Sequence, residues 1–316
     1  MKVPPTRGDG VSASHSQLNG GAMTHGTKLG CVVLAHQDPR HLRRLLAALD
    51  PFPVYLHCDI RTPGDMFEQM TSDLPQRCRV LHRVATGWAG CGLVETEIAG
   101  YRAALADPGV SHVAMLSGSD YPLAPTSEIS AFLAQHPGVS FALFNPLPYA
   151  PWGRSGGMAR LRYRHWAYRK HMIRLPVPRR LPSTVVLAGG SAMKILARKH
   201  AEAVVAAHDA NPDLVRFWRR SWCPDETFIP SVLSTPEFAP DWAREHVARP
   251  MWWIGWDGSA RKSPPWLGIR HFDELARAQA ARTGGLAYAF ARKFATGYDT
   301  AVLDAIDRQL RGVSGE

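Results

Sequence analysis

Short continuous apolar runs alternate with apolar residues at helical spacing through the first half of the chain. Leu29 to Ala35 (LGCVVLA) has the pattern of a strand covered on both faces. Asp38-Pro39 then supplies an N-cap and a first helical residue, and Leu42, Leu45, Leu46 and Leu49 recur at helical spacing. Val54 to Cys58 predicts a second strand, ending at Asp59, and Met66, Phe67 and Met70 a second helix. A short strand at Val80-Leu81, a helix over Leu93 to Leu105 and a strand over His112 to Leu116 follow. That strand is closed by Ser117-Gly118-Ser119-Asp120-Tyr121-Pro122. Ile129, Phe132 and Leu133 mark a helix after Thr126, and Val139 to Phe144 another strand. Beyond this point the pattern predicts a strand at Thr184 to Ala188, a turn at Gly189-Gly190-Ser191, and a helix from there to Ala207. The stretch 250–268, with Trp252, Trp253, Trp256 and Trp266, reads as a packed loop, and Val302, Leu303, Ile306 and Leu310 place a C-terminal helix.

Repeated strand–helix alternation predicts an α/β class with a largely parallel sheet. In such sheets ligands bind beyond the carboxyl ends of the strands. His36, Asp59, Arg61, Ser119 and Asp120 all fall at such ends. Neither GxxxxGK[ST] nor GxGxxG occurs, so the common phosphate loops are absent. Residues 1–27, rich in Gly, Ser, Thr and His, are expected to form a flexible tail. Residues 28–312 are expected to form one domain, with no linker long enough to divide them.

Composition narrows the class. With 316 residues, 45% hydrophobic and 20% charged, the chain has ample length for a buried core. A net charge of +10 attracts anions: nucleic acid, acidic lipid or phosphorylated substrates. Between Glu128 and Glu202 there is no acid at all, while arginines and lysines are interleaved with Trp152, Tyr163, Trp166 and Tyr168. Such a run suits nucleic acid, sugars or phosphates, and equally a solvated basic face. Prolines at 176, 178 and 182 predict an irregular insertion over about 145–183 in place of a long helix. Five cysteines at irregular spacing argue against a disulfide framework or a zinc site. No apolar run approaches the ~18 residues of a membrane helix, and no secretory signal pattern opens the chain. These features together predict a cytoplasmic protein without a membrane span.

Candidate chemistry centres on Trp222-Cys223-Pro224-Asp225-Glu226-Thr227-Phe228, where two acids follow a proline. Taken alone, these are ordinary helix-start features, since Pro suits the first helical position and acids favour the dipole. Further pieces occur in a telling order: Leu34-Ala35-His36, Val54-Tyr55-Leu56-His57-Cys58-Asp59, Trp88-Ala89-Gly90 and Leu116-Ser117-Gly118-Ser119-Asp120-Tyr121-Pro122-Leu123. Gly190-Ser191-Ala192, Pro224-Asp225-Glu226 and Phe290-Ala291-Arg292-Lys293-Phe294 complete the set. With these motifs the chain resembles the core-2/I-branching β-1,6-N-acetylglucosaminyltransferases, the family that also contains the peptide O-xylosyltransferases.

The resemblance implies a GT-A-type nucleotide-sugar-binding fold with a mainly parallel central sheet. It implies inverting transfer from a UDP-sugar, GlcNAc favoured and xylose the alternative, to an acceptor hydroxyl, with no metal and no other cofactor. By the same resemblance Glu226 is the base, and Arg270 and Lys293 hold the donor diphosphate. Leu34, Ala35, His36, Asp59, Arg61, Trp88 and Asp120 fall on donor-pocket positions. Asp59 would accept from uracil or ribose, whereas Asp120 could instead cap its turn. The residues agree with this chemistry. A carboxylate can take the acceptor proton, and fixed cations can meet charge building on the leaving diphosphate. The sequence has no Asp-x-Asp to hold a metal, and Arg270 and Lys293 can supply the charge instead. Arg270 could otherwise pair with Asp273 or Glu274, and Lys293 could end a solvated helix. The basic balance makes an anionic acceptor a candidate. The alternative function is a non-catalytic binder of nucleic acid or an anionic polymer on a transferase-like fold. The complete Glu, Arg and Lys set makes nucleic acid the less expected partner.

Overall fold

A computed structural model describes residues 28–168, 171–258, 263–281 and 285–313. The tail expected over residues 1–27 lies outside them. The first strand, β1 (Lys28–Ala35), sends Leu29, Cys31, Val33 and Ala35 into one apolar core and Val32 into another. That is why its sequence is apolar throughout rather than alternating. The strands that follow are β2 (Val54–Cys58), β3 (Cys78–Val80), β4 (Val110–Ser117), β5 (Asp120–Pro122), β6 (Ser140–Phe141) and β7 (Phe144–Pro146). Next come β8 (Tyr163–Tyr168), β9 (His171–Pro178), β10 (Ala188–Gly190), β11 (Ile195–Ala197), β12 (His246–Val247), β13 (Trp252–Ile254) and β14 (Phe290–Arg292). The central sheet runs β12-β6-β11-β4-β1-β2-β3. Its pairs are parallel except those of β11, which lies antiparallel between β4 and β6.

The helices are α1 (Pro39–Ala48), α2 (Gly64–Thr71), α3 (Gly92–Leu105), α4 (Thr126–Ala134), α5 (Ala159–Arg162) and α6 (Arg198–Ala210). The rest are α7 (Pro212–Trp218), α8 (Phe228–Leu233), α9 (Trp242–Glu245), α10 (Phe272–Ala280) and α11 (Ala301–Ala305). Helices α1, α4, α10 and α11 give their apolar faces to one core; α3, α6, α7 and α8 give theirs to the other. Helix α3 lies so close to the sheet that a Cβ on Gly100 would stand 2.3 Å from a Val32 methyl. A three-stranded sheet, β13-β14-β5, packs beside the main one and carries the chain to Lys293.

The second half departs from the sequence reading. The strand expected at Thr184 to Ala188 is confined to β10, paired with β7, and the long helix expected after it starts only at Arg198. In between, β11 fills the gap between β4 and β6, so sheet pairing overrides helical spacing there. Val139 to Phe144 divides into β6 and β7, which serve different sheets. The Trp-rich loop contains β13. The basic segment 145–183, expected to be irregular, contains the antiparallel hairpin β8–β9.

Candidate active site

The carboxyl ends of β4, β1 and β2 form one hydrogen-bonded rim. Gly118 N–H donates to Leu34 O at 2.8 Å. A Cβ at Gly118 would come within 2.9 Å of the Ala35 methyl, so only glycine allows this approach. Leu34 and Ala35 face inward at this closure and His36 is exposed beyond it. Asp38, at φ 55°, caps α1 by accepting from His41 N–H at 3.1 Å. It also accepts from Thr296 N–H and Oγ1 at 2.7 and 2.5 Å. Burial alone would raise this carboxyl, but the Thr296 and His41 donors hold it below its usual value.

Asp59 N–H joins the rim through Ala35 O at 3.3 Å. Its carboxylate takes Arg61 N, Nε and Nη2 at 2.8, 2.9 and 2.7 Å, and Thr86 N and Oγ1 at 2.8 and 2.6 Å. The Arg61 side chain foremost, then Thr86, hold it far below the ordinary carboxylate range. Five donors saturate the two oxygens, so the structure places Asp59 as the anchor of the exposed Arg61 and of Thr86. His57 is buried, and burial pushes its pKa down to about 4, leaving a neutral ring whose Nε2 accepts Val84 N–H at 3.0 Å. Arg83 donates to the carbonyls of Asp59, Ile60 and Thr62. These contacts pin the segment that carries Trp88 to the surface, where it is 55% exposed.

Asp120 lies fully buried. Its Oδ2 accepts from Ser117 N–H at 3.0 Å and Trp252 Nε1 at 2.9 Å, and Arg292 stands 3.6 Å from Oδ1. Burial raises this carboxyl, with Arg292 opposing. The structure therefore sets Asp120 fully buried beneath the rim at the start of β5, bonded back to Ser117 in place of capping a turn at Tyr121-Pro122.

Glu226 ends a 3-10 turn, Pro224–Glu226, that enters α8. Cys223, at φ 48°, donates its N–H to the carbonyl of Ala89, at φ 59°, across 3.2 Å. Two non-glycine residues in the left-handed region thus meet where the Trp88 segment touches the turn, and each such residue costs on the order of 1–3 kcal/mol. Thr227, fully buried, accepts from Trp218 Nε1 at 3.0 Å and fixes the turn to α7. Glu226 Oε2 is ion-paired with Arg160. The Arg160 guanidinium lies over Trp152 at 3.9 Å from the ring centre and near Trp222 at 5.5 Å. The Glu226 carboxylate remains 34% exposed, with no partner for Oε1 among the described residues.

Behind it lies an ionic cluster in the interior. Lys194 Nζ pairs with Glu97 Oε1 at 2.7 Å, both fully buried, and Tyr101 donates its hydroxyl to the same oxygen. Asp225 Oδ1 is sealed from solvent with no partner among the described residues. Burial, then the neighbouring Glu226, push the Asp225 carboxyl up to about 7. One lysine faces two interior carboxyls, so charge balance favours a proton on Asp225.

Lys293 follows β14, and its carbonyl accepts Leu267 N–H at 2.8 Å. Its ammonium donates to Ser263 Oγ at 2.9 Å and lies 4.2 Å from the Trp266 ring centre. Burial, then Arg292, lower its pKa. Arg270, exposed, donates to Tyr298 Oη at 3.3 Å, while the neighbouring Ile269 N–H reaches Asp299 at 2.7 Å. The segments bearing Arg270 and Lys293 are thus stitched side by side, and neither cation has a carboxylate partner among the described residues. Phe294 N–H donates to Ser119 O at 2.8 Å, which ties Lys293 to the end of β4.

A continuous path of backbone and side-chain bonds therefore runs from Lys293 through Ser119, Leu34, Asp59 and Ala89 to the Glu226 turn. No hydrogen bond or ion pair joins Glu226 directly to Arg270 or Lys293 among the described residues. Sequence reasoning missed Arg160 and the Lys194–Glu97–Asp225 cluster. A lysine inside the apolar run Met193-Lys194-Ile195-Leu196 and an acid on the buried face of α3 were the available signals. Also among the described residues, no three His, Cys, Asp or Glu side chains gather as metal ligands, and none of the five cysteines is in a disulfide.

Comparison with known proteins agrees with the motif order. The human protein named xylosyltransferase 2 is 28% identical over 290 residues, covering 86% of this chain and 32% of its own. Xylosyltransferase 1 of Canis lupus familiaris is 30% identical over 219 residues, covering 65% of this chain and 22% of its own. The chain thus spans about a third or less of the length of these relatives. HddC from Yersinia pseudotuberculosis superposes with a TM-score of 0.27 at 13% identity, over 55% of this chain and 78% of its own, a likeness too weak to inform the fold. The model of the core-2/I-branching enzyme family matches residues 32–276, and the chain belongs to that glycosyltransferase family.

Proposed function

We propose that this protein is an inverting glycosyltransferase that moves a sugar from a UDP-sugar to an acceptor hydroxyl without a metal ion. The observation that carries the reading is the rim itself, a mixed α/β sheet whose carboxyl ends link the Lys293 segment to the Glu226 turn. The proposed fold type is GT-A. Glu226 Oε1 takes the proton as the acceptor oxygen forms its bond to the anomeric carbon. The bond from that carbon to the diphosphate oxygen breaks in the same displacement, and UDP leaves carrying the charge. Arg270 and Lys293 meet that charge, the first through its planar fork, the second as a point charge. Arg61, held out by Asp59, and the exposed His36 and Trp88 are the donor-side contacts. Arg160 orients the base between two indole rings.

UDP-GlcNAc is the donor favoured by the motif set, and relatives named xylosyltransferases support UDP-xylose as the alternative. Irregularly spaced cysteines, none of them in a disulfide, suit a reducing compartment, here proposed as the cytoplasm. The competing reading, a non-catalytic nucleic-acid binder, loses its main support. Three of the four rings that suggested it already have an arginine beside them: Trp152 has Arg160, Tyr163 has Arg174, and Trp166 has Arg220. Turnover of UDP-GlcNAc and UDP-xylose in EDTA, beside a polynucleotide shift assay, tests the proposal. Release of UDP from one donor in EDTA supports it. Loss of all turnover in EDTA with recovery in Mn²⁺ contradicts the metal-free part, and a shift without turnover contradicts the whole.

A further inference from the structure

The β8–β9 hairpin carries exposed aliphatic residues that no other element covers among the described residues. Ile173, Leu175 and Val177 lie at alternate positions along β9, the last two opposite its register shift, and they are 49%, 39% and 66% exposed. A two-stranded ribbon with three closely spaced exposed aliphatics is unusual for a surface in contact with water alone. The charge around them has a single sign. Arg162, Arg164, Arg174 and Arg180 are all exposed on or beside the hairpin, and the chain has no acid from residue 129 to 201.

We propose that this hairpin is a docking surface for an anionic lipid bilayer. Aliphatic side chains enter the boundary between headgroups and acyl chains, and arginines at the rim meet lipid phosphates. Nucleic acid fits the same charge less well. Single-stranded nucleic acid gains from stacking on free aromatic faces, whereas Tyr163 and Trp166 of the hairpin are already beside Arg174 and Arg220. A second copy of the chain fits less well still, because this face would bring arginine against arginine. The hairpin is fastened to the rest of the protein at its base. His165 N–H donates to Arg220 O at 2.8 Å, and the buried His165 ring lies 6.1 Å from Trp222. Bilayer docking would therefore hold the Glu226 turn close to the membrane plane, where an acceptor presented at that surface would meet it.

Flotation of the full chain with vesicles of phosphatidylcholine, with and without phosphatidylglycerol, tests the proposal without any nucleotide. Binding is expected only with phosphatidylglycerol present and is expected to weaken as salt rises. Val177→Glu and Ile173→Glu are each expected to weaken it by about tenfold, the size of one lost aliphatic insertion. Arg174→Glu is expected to weaken it by about fivefold or more. An unchanged circular dichroism spectrum and melting temperature in these surface variants would show that they remain folded. Absence of binding to phosphatidylglycerol vesicles at low salt overturns the proposal. So does equal binding by Val177→Glu, which would leave charge alone. A polyuridylate shift stronger than vesicle binding would assign the face to nucleic acid. A dimer in light scattering that Val177→Glu dissolves would assign it to a second copy.

Discussion

Asp225 stands next to the proposed base and differs from it in environment. Its carboxyl is pushed up to about 7 by burial and by Glu226, against 3.8 for an ordinary aspartate. Between these values the native protein keeps a proton that the unfolded chain has released, so its stability falls as pH rises through this window. Asp225→Asn removes that titration. The variant should match the parent below about pH 4 and be more stable at pH 8, by up to a few kcal/mol. Denaturant melts at the two pH values check this, and an equal difference at both would show that Asp225 does not hold the proton. Arg160 is the second residue the site adds. Its ion pair fixes one oxygen of Glu226, so Arg160→Ala should leave UDP affinity intact and lower turnover by about 10- to 100-fold through misplacement of the base. Arg160→Lys should recover part of the loss. A fall in UDP affinity with unchanged turnover would place Arg160 on the donor instead.

Helix α3 carries Glu97 and Tyr101 into the cluster behind the turn, and its distance from the sheet is set at Gly100. A methyl there would overlap the Val32 side chain, a stiff residue in a packed core. Gly100→Ala should therefore destabilise the protein by about 1–3 kcal/mol. A melting temperature unchanged from the parent would mean that α3 has room to move. The helix itself was legible in the sequence, as were β1, β2, β4, α1 and α4. Each has a strong apolar period and a cap or turn at its end. What was illegible follows from context that one sequence does not display. Ile195-Leu196-Ala197 has the composition of a helix start, yet two neighbouring strands claim its backbone. The prolines of β9 spoke against regular structure, but a ribbon strand tolerates them where no partner needs their N–H. At the proposed site, the candidates Glu226, Arg270 and Lys293 were read from the family motifs. The saturation of Asp59 and the burial of Asp120 depend on partners 27 and 132 positions away, which no local pattern reveals.

The order of the strands gathers segments from the whole chain at one edge. Residues near 34, 59 and 118 meet because β4, β1 and β2 are parallel neighbours, so their carboxyl ends open on the same side. The segment of Lys293 is bonded to this rim through Ser119, and the Glu226 turn to the segment of Ala89. Arg270 and Lys293, 23 positions apart, come from segments bonded to each other through Leu267 and Lys293. If both meet one leaving diphosphate they act as a unit, and effects within a unit are far from additive. Arg270→Ala and Lys293→Ala should each weaken UDP binding in calorimetric titration, and the double variant should cost much less than the sum. Small additive effects would describe two separate surface contacts.

The central claim, that Glu226 is the base of a glycosyl transfer, is tested most directly by Glu226→Gln. The change is nearly isosteric and removes only the ability to take the acceptor proton. With the active donor and an acceptor hydroxyl, transfer should fall by about 10²- to 10⁴-fold while calorimetric UDP affinity stays at the parent value. Retention of most of the turnover would contradict the account and leave Glu226 as an acid at the start of a helix.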